Sequence, residues 1–459
     1  MAVTIDRNQL IKWLVTFGIS GAVLLIPVTD TFTKDMRTFL VITILGLCMA
    51  AFEFFDIFVP SVFLPTAYLV SGCLPIETAF SGWTTTVLWI CIGAFVLAHS
   101  FDDIGLLNRI AYWVILKSGG TFNRTMLGLM LAGVVLSTIT FGNAYIIMIT
   151  LGFGICKSLN LGRSWDSALM MFAALIGSMT TRGVIYAPTN LSMINAGARA
   201  IVPDFELNWL DQWFYCWPIF IIVAVLYVLL VKVRKNSSAL DSSAFIREKY
   251  EALGPMSSKE KKGLSVLALM LIYLLTQPLH KLPMDYGFMV LPWLLVLPGV
   301  RVATSSCFKK FDFGMIFFAA ACVAIGTGAA KLGIGALFSS MVTPILAPLP
   351  GSMTTLCVFL LGMVLNFFMT PMAFLTGFSA PITQIAVDLG LNPAGPLFML
   401  NFSSDAVFLP YEYVPYLIAY SFGVISMQDF LKLSVMKFFV VLIGLLVLML
   451  PYWLLVGLI

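Results

Sequence analysis

The chain alternates long apolar runs with short polar breaks. Two apolar runs, 13–28 and 36–60, open the chain, and a helix of about 20 residues begins in a third run. The third run changes at His99, Asp102 and Asp103 into an amphipathic stretch whose apolar positions share one helical face. The pattern predicts helices that cross a membrane, the third being followed by a helix that lies along the membrane surface.

Small, polar and helix-breaking residues crowd into two later apolar stretches of the first half. In the stretch 124–157, Gly142 and Asn143 predict the tip of a re-entrant hairpin. In the stretch 165–200, the polar run that begins at Gly177 predicts a broken helix. Hydrocarbon cannot solvate the backbone groups that a break sets free. Each break is therefore expected to line a cavity, which in transporters holds a solute and its coupling ion.

The second half of the chain repeats this order. Gly105 matches Gly333 at an offset of 228 residues, from 333 − 105. Applying about that offset predicts a second hairpin at 351–390, with Thr370 near its tip, and a second broken helix at 395–425. Two halves of this kind are expected to form an inverted-topology repeat with a binding site between them.

The repeat divides the chain into parts. We expect scaffold helices in 1–123 and 263–350, and transport parts in 124–232 and 351–459. The segment 233–262 between the halves is the only long polar stretch of the sequence, and Lys and Arg outnumber Asp and Glu in it. This excess predicts a solvated cytoplasmic linker.

Composition supports an all-α polytopic membrane protein. Of 459 residues, 60% are hydrophobic and 10% charged, with a mean hydropathy of +1.00, whereas soluble domains carry about 25% charged residues. The eight cysteines lie singly in or beside apolar runs and are interpreted as buried small hydrophobes. The net charge of +4 is spread over loops and predicts no nucleic-acid partner. The sequence has no Walker A, GxSxG or HExxH motif, so it predicts neither ATP-driven transport nor an enzyme.

The breaks carry the groups that a small organic anion needs when it leaves water. Hydrogen-bond donors for its carboxylates are Asn143, Thr181, Thr189, Ser403 and Ser404, together with amides at helix starts. Sodium requires oxygen ligands, which carbonyls freed near Gly142, Gly177, Ser178 and Ser403 would supply.

Two charged residues lie within the broken stretches. Arg182 costs about 2.5–3.5 kcal/mol at a helix centre, so it is expected to face a cavity or a partner. It is either a carboxylate clamp or a residue that reaches an interface or pairs with an acid. Asp405 either forms that pair or titrates in place of a sodium site. Glu412 is interpreted as an anchor in preference to a proton carrier.

Three groups of residues resemble one transporter family. The groups are Ala79-Phe80-Ser81-Gly82-Trp83 leading into 87–95, Phe311-Asp312-Phe313-Gly314 leading to Gly333, and Ala187-Pro188-Thr189-Asn190 before Asp204, Phe205 and Trp209. They are similar to the divalent anion:sodium symporter family, the dicarboxylate and citrate carriers, over most of 36–459 outside the linker. The resemblance implies a homodimer in which each protomer has a fixed scaffold and a transport part that moves as an elevator.

The sequence departs from the pattern of this family at the site. The resemblance implies that two Ser-Asn-Thr tips hold substrate and flank sodium, and their counterparts are Gly142-Asn143-Ala144 and Met369-Thr370-Pro371. The Thr-Pro-Pro-Asn motif corresponds to Ala187-Pro188-Thr189-Asn190 in the first half and to Ser403-Ser404-Asp405-Ala406 in the second. Anion exchange or proton coupling is therefore expected beside sodium symport.

The sequence as a whole predicts a secondary carrier of di- or tricarboxylate anions. Its expected partners are the anion, membrane lipid and a second copy of the chain, with no cofactor beyond Na⁺ as a coupling ion. The bacterial inner membrane is the expected location. Two alternatives stay open, a carrier of an inorganic oxyanion such as sulfate and an anion channel.

Overall fold

The fold is helical throughout the described residues. The computed structural model describes residues 7–52, 54–184, 187–234, 242–311, 313–367 and 370–459, and in these ranges it contains helices and turns but no strand. A helix closes its backbone hydrogen bonds within one segment, which hydrocarbon requires of any chain that crosses it. The predicted all-α fold is confirmed.

Seven helices open the first half. They are α1 (Arg7–Leu24), α2 (Lys34–Ala51), α3 (Phe58–Val70), α4 (Ile76–Ala79), α5 (Ser81–Thr84), α6 (Thr86–Asp103) and α7 (Leu106–Ser118). The pair α6 and α7 is bent by 67°. The amphipathic stretch predicted after Asp103 is thus a separate helix, and its buried positions Leu107, Ala111 and Ile115 lie four residues apart on one face.

The rest of the first half contains a helical hairpin and an interrupted helix. The helices are α8 (Phe122–Ile139), α9 (Tyr145–Ser158), α10 (Trp165–Ser178), α11 (Pro188–Arg199), α12 (Trp209–Cys216) and α13 (Ile219–Val233). The tip between α8 and α9 turns through Phe141 and Gly142, whose φ angles are +53° and +89°. A 3₁₀ turn, Thr180–Gly183, separates α10 from α11.

The described part of the segment between the halves is helical. It contains α14 (Ser243–Ala252) and the start of α15 (Ser258–Leu275). The helix α14 packs on α7, and Ile246 and Glu260 are buried. Most of this portion is exposed, as a solvated linker would be, but Arg109 of α7 ties it to the fold by binding Glu260 and the carbonyl oxygens of Leu253 and Gly254. The cytoplasmic location of the linker stays a prediction.

The second half continues with short and long helices in the order seen before. They are α16 (Gln277–His280), α17 (Met284–Val290), α18 (Ser305–Lys309), α19 (Phe313–Lys331), α20 (Ile334–Leu346), α21 (Gly351–Asn366), α22 (Pro371–Asp388), α23 (Ala394–Ser403), α24 (Val414–Ser421), α25 (Met427–Gly444) and α26 (Leu450–Leu455). The pair α19 and α20 is bent by 71°. The helix α25 continues through a π turn into α26.

The element order of the two halves matches at nearly constant spacing. Pro188 begins α11, and Pro415 lies in the first turn of α24, 227 residues later, from 415 − 188. Within each half the first part of the interrupted helix packs on the hairpin, α10 on α8 and α23 on α21. Across the halves, α11 packs on α22 and α24 packs on α9. The second part of each interrupted helix thus packs on the hairpin of the other half, which brings the two interruptions together.

Several helices have the length and composition of membrane spans. Phe122–Ile139 and Met427–Leu455 satisfy both requirements alone. Three bent pairs satisfy them jointly, which gives up to five spans among the described residues by this measure.

Candidate functional site

The two interrupted helices meet at a hydrogen-bonded cluster around Asp405. Thr180 lies in the break after α10, and its Oγ1 donates to Oδ2 of Asp405, in the break after α23, at 2.7 Å. A second contact joins the helices beside these breaks. Nδ2 of Asn190, in α11, donates to Oδ1 of Asn401, in α23, at 3.2 Å. Polar residues more than 200 positions apart thus share one site.

A lysine that the sequence analysis missed completes the cluster. Nζ of Lys437 lies 3.1 Å from Oδ2 of Asp405 and donates to the Asp405 carbonyl oxygen at 2.6 Å. It also donates to Oη of Tyr416 at 2.5 Å, and this hydroxyl donates to Oδ1 of Asp405 at 2.5 Å. Only 1% of the Lys437 side chain is exposed. The cluster therefore contains an ion pair within the helical core.

The position of Lys437 in its helix carried a signal in the sequence. It lies ten residues after Met427, from 437 − 427, or about 15 Å along the axis at 1.5 Å per residue. An 18-residue window of the surrounding run, Met427–Leu455, has a mean hydropathy of 2.7. An ionisable side chain inside a membrane-spanning helix is costly and usually functional. This reasoning selected Arg182 from the sequence, and it applies equally to Lys437.

A small cavity lies beside the cluster. Its volume is about 20 Å³, whereas a single water needs roughly 10–15 Å³ on the same scale. Its polar lining consists of Thr180, Asn401, Ser404, Asp405 and Lys437, and its apolar lining includes Met179, Phe359, Phe402 and Phe438. The site is therefore closed in this conformation and must widen to admit a carboxylate.

Asn401 offers a free hydrogen-bond donor to the cavity. Its side-chain oxygen accepts from Asn190, while its amide nitrogen has no partner among the described residues. Ser404 also lines the cavity, and its Oγ donates to the Asn401 carbonyl oxygen at 2.6 Å.

The structure brings several of the predicted binding residues to this place. Ser404 and Asp405 line the cavity, and Asn190 contacts the lining residue Asn401. Ser403 lies next to them, although its Oγ donates to the Leu400 carbonyl at 2.6 Å. Pro188 and Thr189 form the first turn of α11, which leads to Asn190. The roles assigned to these residues stay predictions.

Other predicted residues lie outside the cavity lining. Thr181 Oγ1 donates to the Gly177 carbonyl at 2.8 Å, and Ser178 Oγ donates to the Ala174 carbonyl at 2.7 Å. Serine and threonine hydroxyls commonly bond to their own helix in this way. Gly177 lies inside α10, where an added Cβ would approach the Met130 carbonyl oxygen to 2.5 Å. Gly177 is therefore a point of close contact between α10 and α8.

The first hairpin tip lies apart from the cavity lining. Asn143 Nδ2 donates to the Thr140 carbonyl at 3.3 Å, beside Gly142 at the turn. The backbone of Arg182 lies in the 3₁₀ turn after α10, but its side chain lies outside the part that the structure describes. Its pairing with Asp405 and its role as a clamp stay predictions.

The second hairpin tip holds two buried oxygens that have no hydrogen-bond partner among the described residues. Oγ1 of Thr370, which precedes α22, and Oδ1 of Asn366, at the end of α21, accept no hydrogen bond from the described residues. The amide nitrogen of Asn366 donates to the carbonyls of Ser403 at 2.6 Å and Ala406 at 3.4 Å. Sequence reasoning missed Asn366, which ties this tip to the break after α23.

Glu412 anchors the backbone at the second break. Its Oε1 accepts from the Leu409 amide at 2.8 Å and its Oε2 from the Phe408 amide at 3.1 Å. Both amides lie at the start of a 3₁₀ turn, where backbone donors lack helical partners. The geometry agrees with the anchoring interpretation.

Two solved transporter structures share this fold. The YdaH transporter of Alcanivorax borkumensis matches with a TM-score of 0.59 over 98% of each chain at 14% identity. MtrF of Neisseria gonorrhoeae matches with a TM-score of 0.56 over 95% of this chain and 97% of its own, at 13% identity. Likeness at such identities concerns the fold alone, and that fold is the polytopic helical one that the sequence predicts.

The family follows from the sequence comparison. The citrate transporter family model matches residues 39–403, so the chain belongs to the citrate transporter family. The L-tartrate/succinate antiporters of Escherichia coli strain K12 and of Shigella flexneri are each 23% identical over 384 residues, which cover 78% of this chain and 76% of theirs. The predicted resemblance to dicarboxylate and citrate carriers is confirmed, and the chain is a carboxylate transporter rather than an enzyme.

Proposed function

We propose that this protein is a secondary carrier that exchanges one small di- or tricarboxylate anion for another. The observation that carries the proposal is the meeting of interrupted helices from both halves at one cavity with polar and charged side chains. Helix breaks of this kind are the solute sites of transporters. The family and the antiporter name of the relatives support a carboxylate as the solute and exchange as the mode.

Because the cavity is too small for a carboxylate in this conformation, the transport cycle must include a movement of the helices that line it. We assign the movement to 124–232 and 351–459, which would shift as one body against the scaffold in 1–123 and 263–350. Packing of α11 on α22 and of α24 on α9 joins these two parts. A Cβ added at Gly326 of α19 would lie 3.2 Å from the Thr376 carbonyl of α22. Small residues let helix backbones approach closely, and this contact lies at the boundary that the proposed movement would cross.

Sodium symport is the second candidate for coupling. It is favoured by the buried side-chain oxygens of Asn366 and Thr370 at the second hairpin tip, which have no partner within the described ranges. Freed oxygen atoms near helix breaks bind coupling cations. The predicted homodimer and the bacterial inner membrane complete the proposal, on the strength of the family resemblance.

Counterflow in proteoliposomes tests the proposed function. Purified protein is reconstituted with unlabelled succinate inside, and uptake of labelled succinate is measured with L-tartrate, citrate or sulfate as competitors. We expect saturable uptake that requires internal carboxylate. Preference for sulfate would support the oxyanion alternative, uptake that does not saturate would support a channel, and no counterflow with any carboxylate would overturn the proposal.

A cavity variant and a matched control sharpen this experiment. Asn401→Ala removes the free amide donor and is expected to raise KM about tenfold, the effect of losing a hydrogen bond to a charged solute. Asn108→Ala alters the same residue type on α7, outside the cavity lining, and is expected to leave KM unchanged. Equal KM values for the two variants would remove Asn401 from the site.

A further inference from the structure

The ammonium group of Lys437 is directed at protein oxygens. An ammonium group has three hydrogens to donate. Nζ has three oxygen neighbours, the Asp405 carbonyl at 2.6 Å, Oδ2 of Asp405 at 3.1 Å and Oη of Tyr416 at 2.5 Å. Two of these oxygens accept hydrogen bonds from the ammonium, and the third belongs to the carboxylate that balances its charge. Lys437 is therefore placed differently from a residue that clamps a carboxylate.

The partners of Lys437 form the oxygen set of a cation site. They comprise a carboxylate, a backbone carbonyl and a phenolic hydroxyl, all from the break between α23 and α24 or from the start of α24. The Tyr416 ring adds a further attraction, since Nζ lies 4.6 Å from its centroid. Carbonyls freed at a helix break are the groups that coordinate coupling cations in transporters.

We propose that Lys437 is a built-in cation that takes the place of a coupling sodium ion at the second break. This inference rests on the proposed carrier function and decides between its two modes of coupling. A tethered ammonium cannot be released into either compartment, so no cation gradient enters the cycle. Only the gradients of the exchanged anions then drive transport.

The same pair explains how an acidic residue is tolerated beside an anion site. A lone Asp405 carboxylate would repel an incoming dianion, and the repulsion would be strong at low dielectric. The Lys437 ammonium neutralises it at 3.1 Å. Removing the ammonium would leave a buried carboxylate within a set of oxygens that a small free cation can fill.

Substitution of Lys437 by a small neutral residue therefore tests the proposal. Counterflow of labelled succinate is measured for the wild type and Lys437→Ala in sodium chloride, in choline chloride and with added ethylammonium. The wild type is expected to work equally in sodium and choline. Lys437→Ala is expected to lose about tenfold or more in choline, as for a lost charge-assisted hydrogen bond, and to recover severalfold with sodium or ethylammonium.

A stability readout keeps the test independent of transport. Sodium is expected to raise the Tm of Lys437→Ala and to leave the Tm of the wild type unchanged, because a ligand stabilises the state that binds it. Lys432→Ala is the matched control, an exposed lysine on the same helix, and should behave as the wild type. If Lys437→Ala does not fold, Lys437→Met/Asp405→Asn removes both charges and is expected to fold without a response to sodium.

The outcomes separate this inference from the proposed function. Wild-type counterflow that requires sodium, or a Lys437→Ala variant that is fully active in choline, would overturn the built-in cation and leave the carrier function standing. A double variant that responds to sodium would overturn it too. A wild type without counterflow would overturn the carrier function, whereas the Tm response of Lys437→Ala would still report whether sodium occupies the vacated position.

Discussion

Gly105 and Gly333 occupy equivalent positions in the two halves of the chain. Each directly precedes a helix, α7 or α20, and their φ angles are +77° and +74°. The helix pairs that they join are bent by 67° and 71°. The same backbone conformation at the predicted offset of 228 residues places both bends at corresponding points of one repeated structure.

The bends are expected to require glycine because it adopts positive φ angles readily, and not because a side chain would lack space. Gly105→Ala should destabilise the protein by about 1–2 kcal/mol, because a side chain disfavours the left-handed region by that amount. An added Cβ at Gly105 meets no atom within 4 Å, and at Gly333 the nearest is Cε of Met36 at 3.6 Å, so steric conflict is absent at both. Thermal unfolding in detergent measures the effect.

A glycine inside a helix is the control for that variant. Gly18 lies in α1, is exposed and has no atom within 4 Å of an added Cβ. Gly18→Ala should leave the Tm unchanged or raise it slightly, since alanine favours helix over glycine. If Gly105→Ala proves as stable as Gly18→Ala, the left-handed conformation does not carry the bend.

The contact between α8 and α10 is expected to tolerate no side chain at Gly177. A Cβ there would lie 2.5 Å from the Met130 carbonyl oxygen, so Gly177→Ala must push the two helices apart. We expect a loss of about 1–3 kcal/mol, as for other overpacked cores, and slower counterflow because α10 leads directly to Thr180. Gly154→Ala on α9 is the control, with its nearest neighbour at 3.7 Å. Equal Tm values for the two variants would contradict this prediction.

The buried pair between α7 and α15 should matter far more than an exposed one. Nε of Arg109 donates to Oε1 of Glu260 at 2.6 Å, and the two side chains are 10% and 4% exposed. Arg109→Met would strand a buried carboxylate, which typically costs about 3–5 kcal/mol. Arg199→Met breaks a pair whose side chains are 39% and 40% exposed, and the expected effect is below about 1 kcal/mol.

A double variant separates the charge effect from lost packing. Arg109→Met/Glu260→Gln removes both charges and should be more stable than Arg109→Met, because no unpaired charge remains. Chemical unfolding of the three variants measures the order. A double variant less stable than Arg109→Met would contradict this prediction and show that the Glu260 carboxylate stabilises the fold without the arginine, through the Ser257 amide that donates to it at 2.6 Å.

The positions of the helix breaks were predictable because hydrocarbon limits where a backbone can be irregular. Glycine, proline and polar residues at mid-membrane depth therefore mark a break directly in the sequence, and the structure has interruptions after Ser178 and after Ser403. The linker was harder to predict. Its polar composition resembles a solvated chain, and only the distant Arg109 shows that part of it is buried.

The side chains of the site were less predictable than its location. Thr180 and Thr181 are neighbours, yet one contacts Asp405 and the other bonds to its own helix. The helical period no longer applies within a 3₁₀ turn, so no periodicity tells the two apart. Lys437 was visible as a rare charge, but its pairing with Asp405 depends on the packing of α25 against the rest of the fold.

Glu412 is expected to hold the second break in shape without carrying protons. Its carboxylate accepts from the amides of Phe408 and Leu409, and Glu412→Gln keeps one acceptor while losing the charge. We expect a loss of about 1 kcal/mol, within the range for weakened hydrogen bonds to a charged group, and a pH profile of counterflow with the same shape as in the wild type. Glu251→Gln, at an exposed position of α14, is the control and should change neither the Tm nor the profile. A Glu412→Gln carrier that loses its pH dependence while keeping its Tm would instead show that this residue carries the proton. Loss of an anchor lowers the Tm, whereas loss of a proton carrier changes the pH dependence of transport.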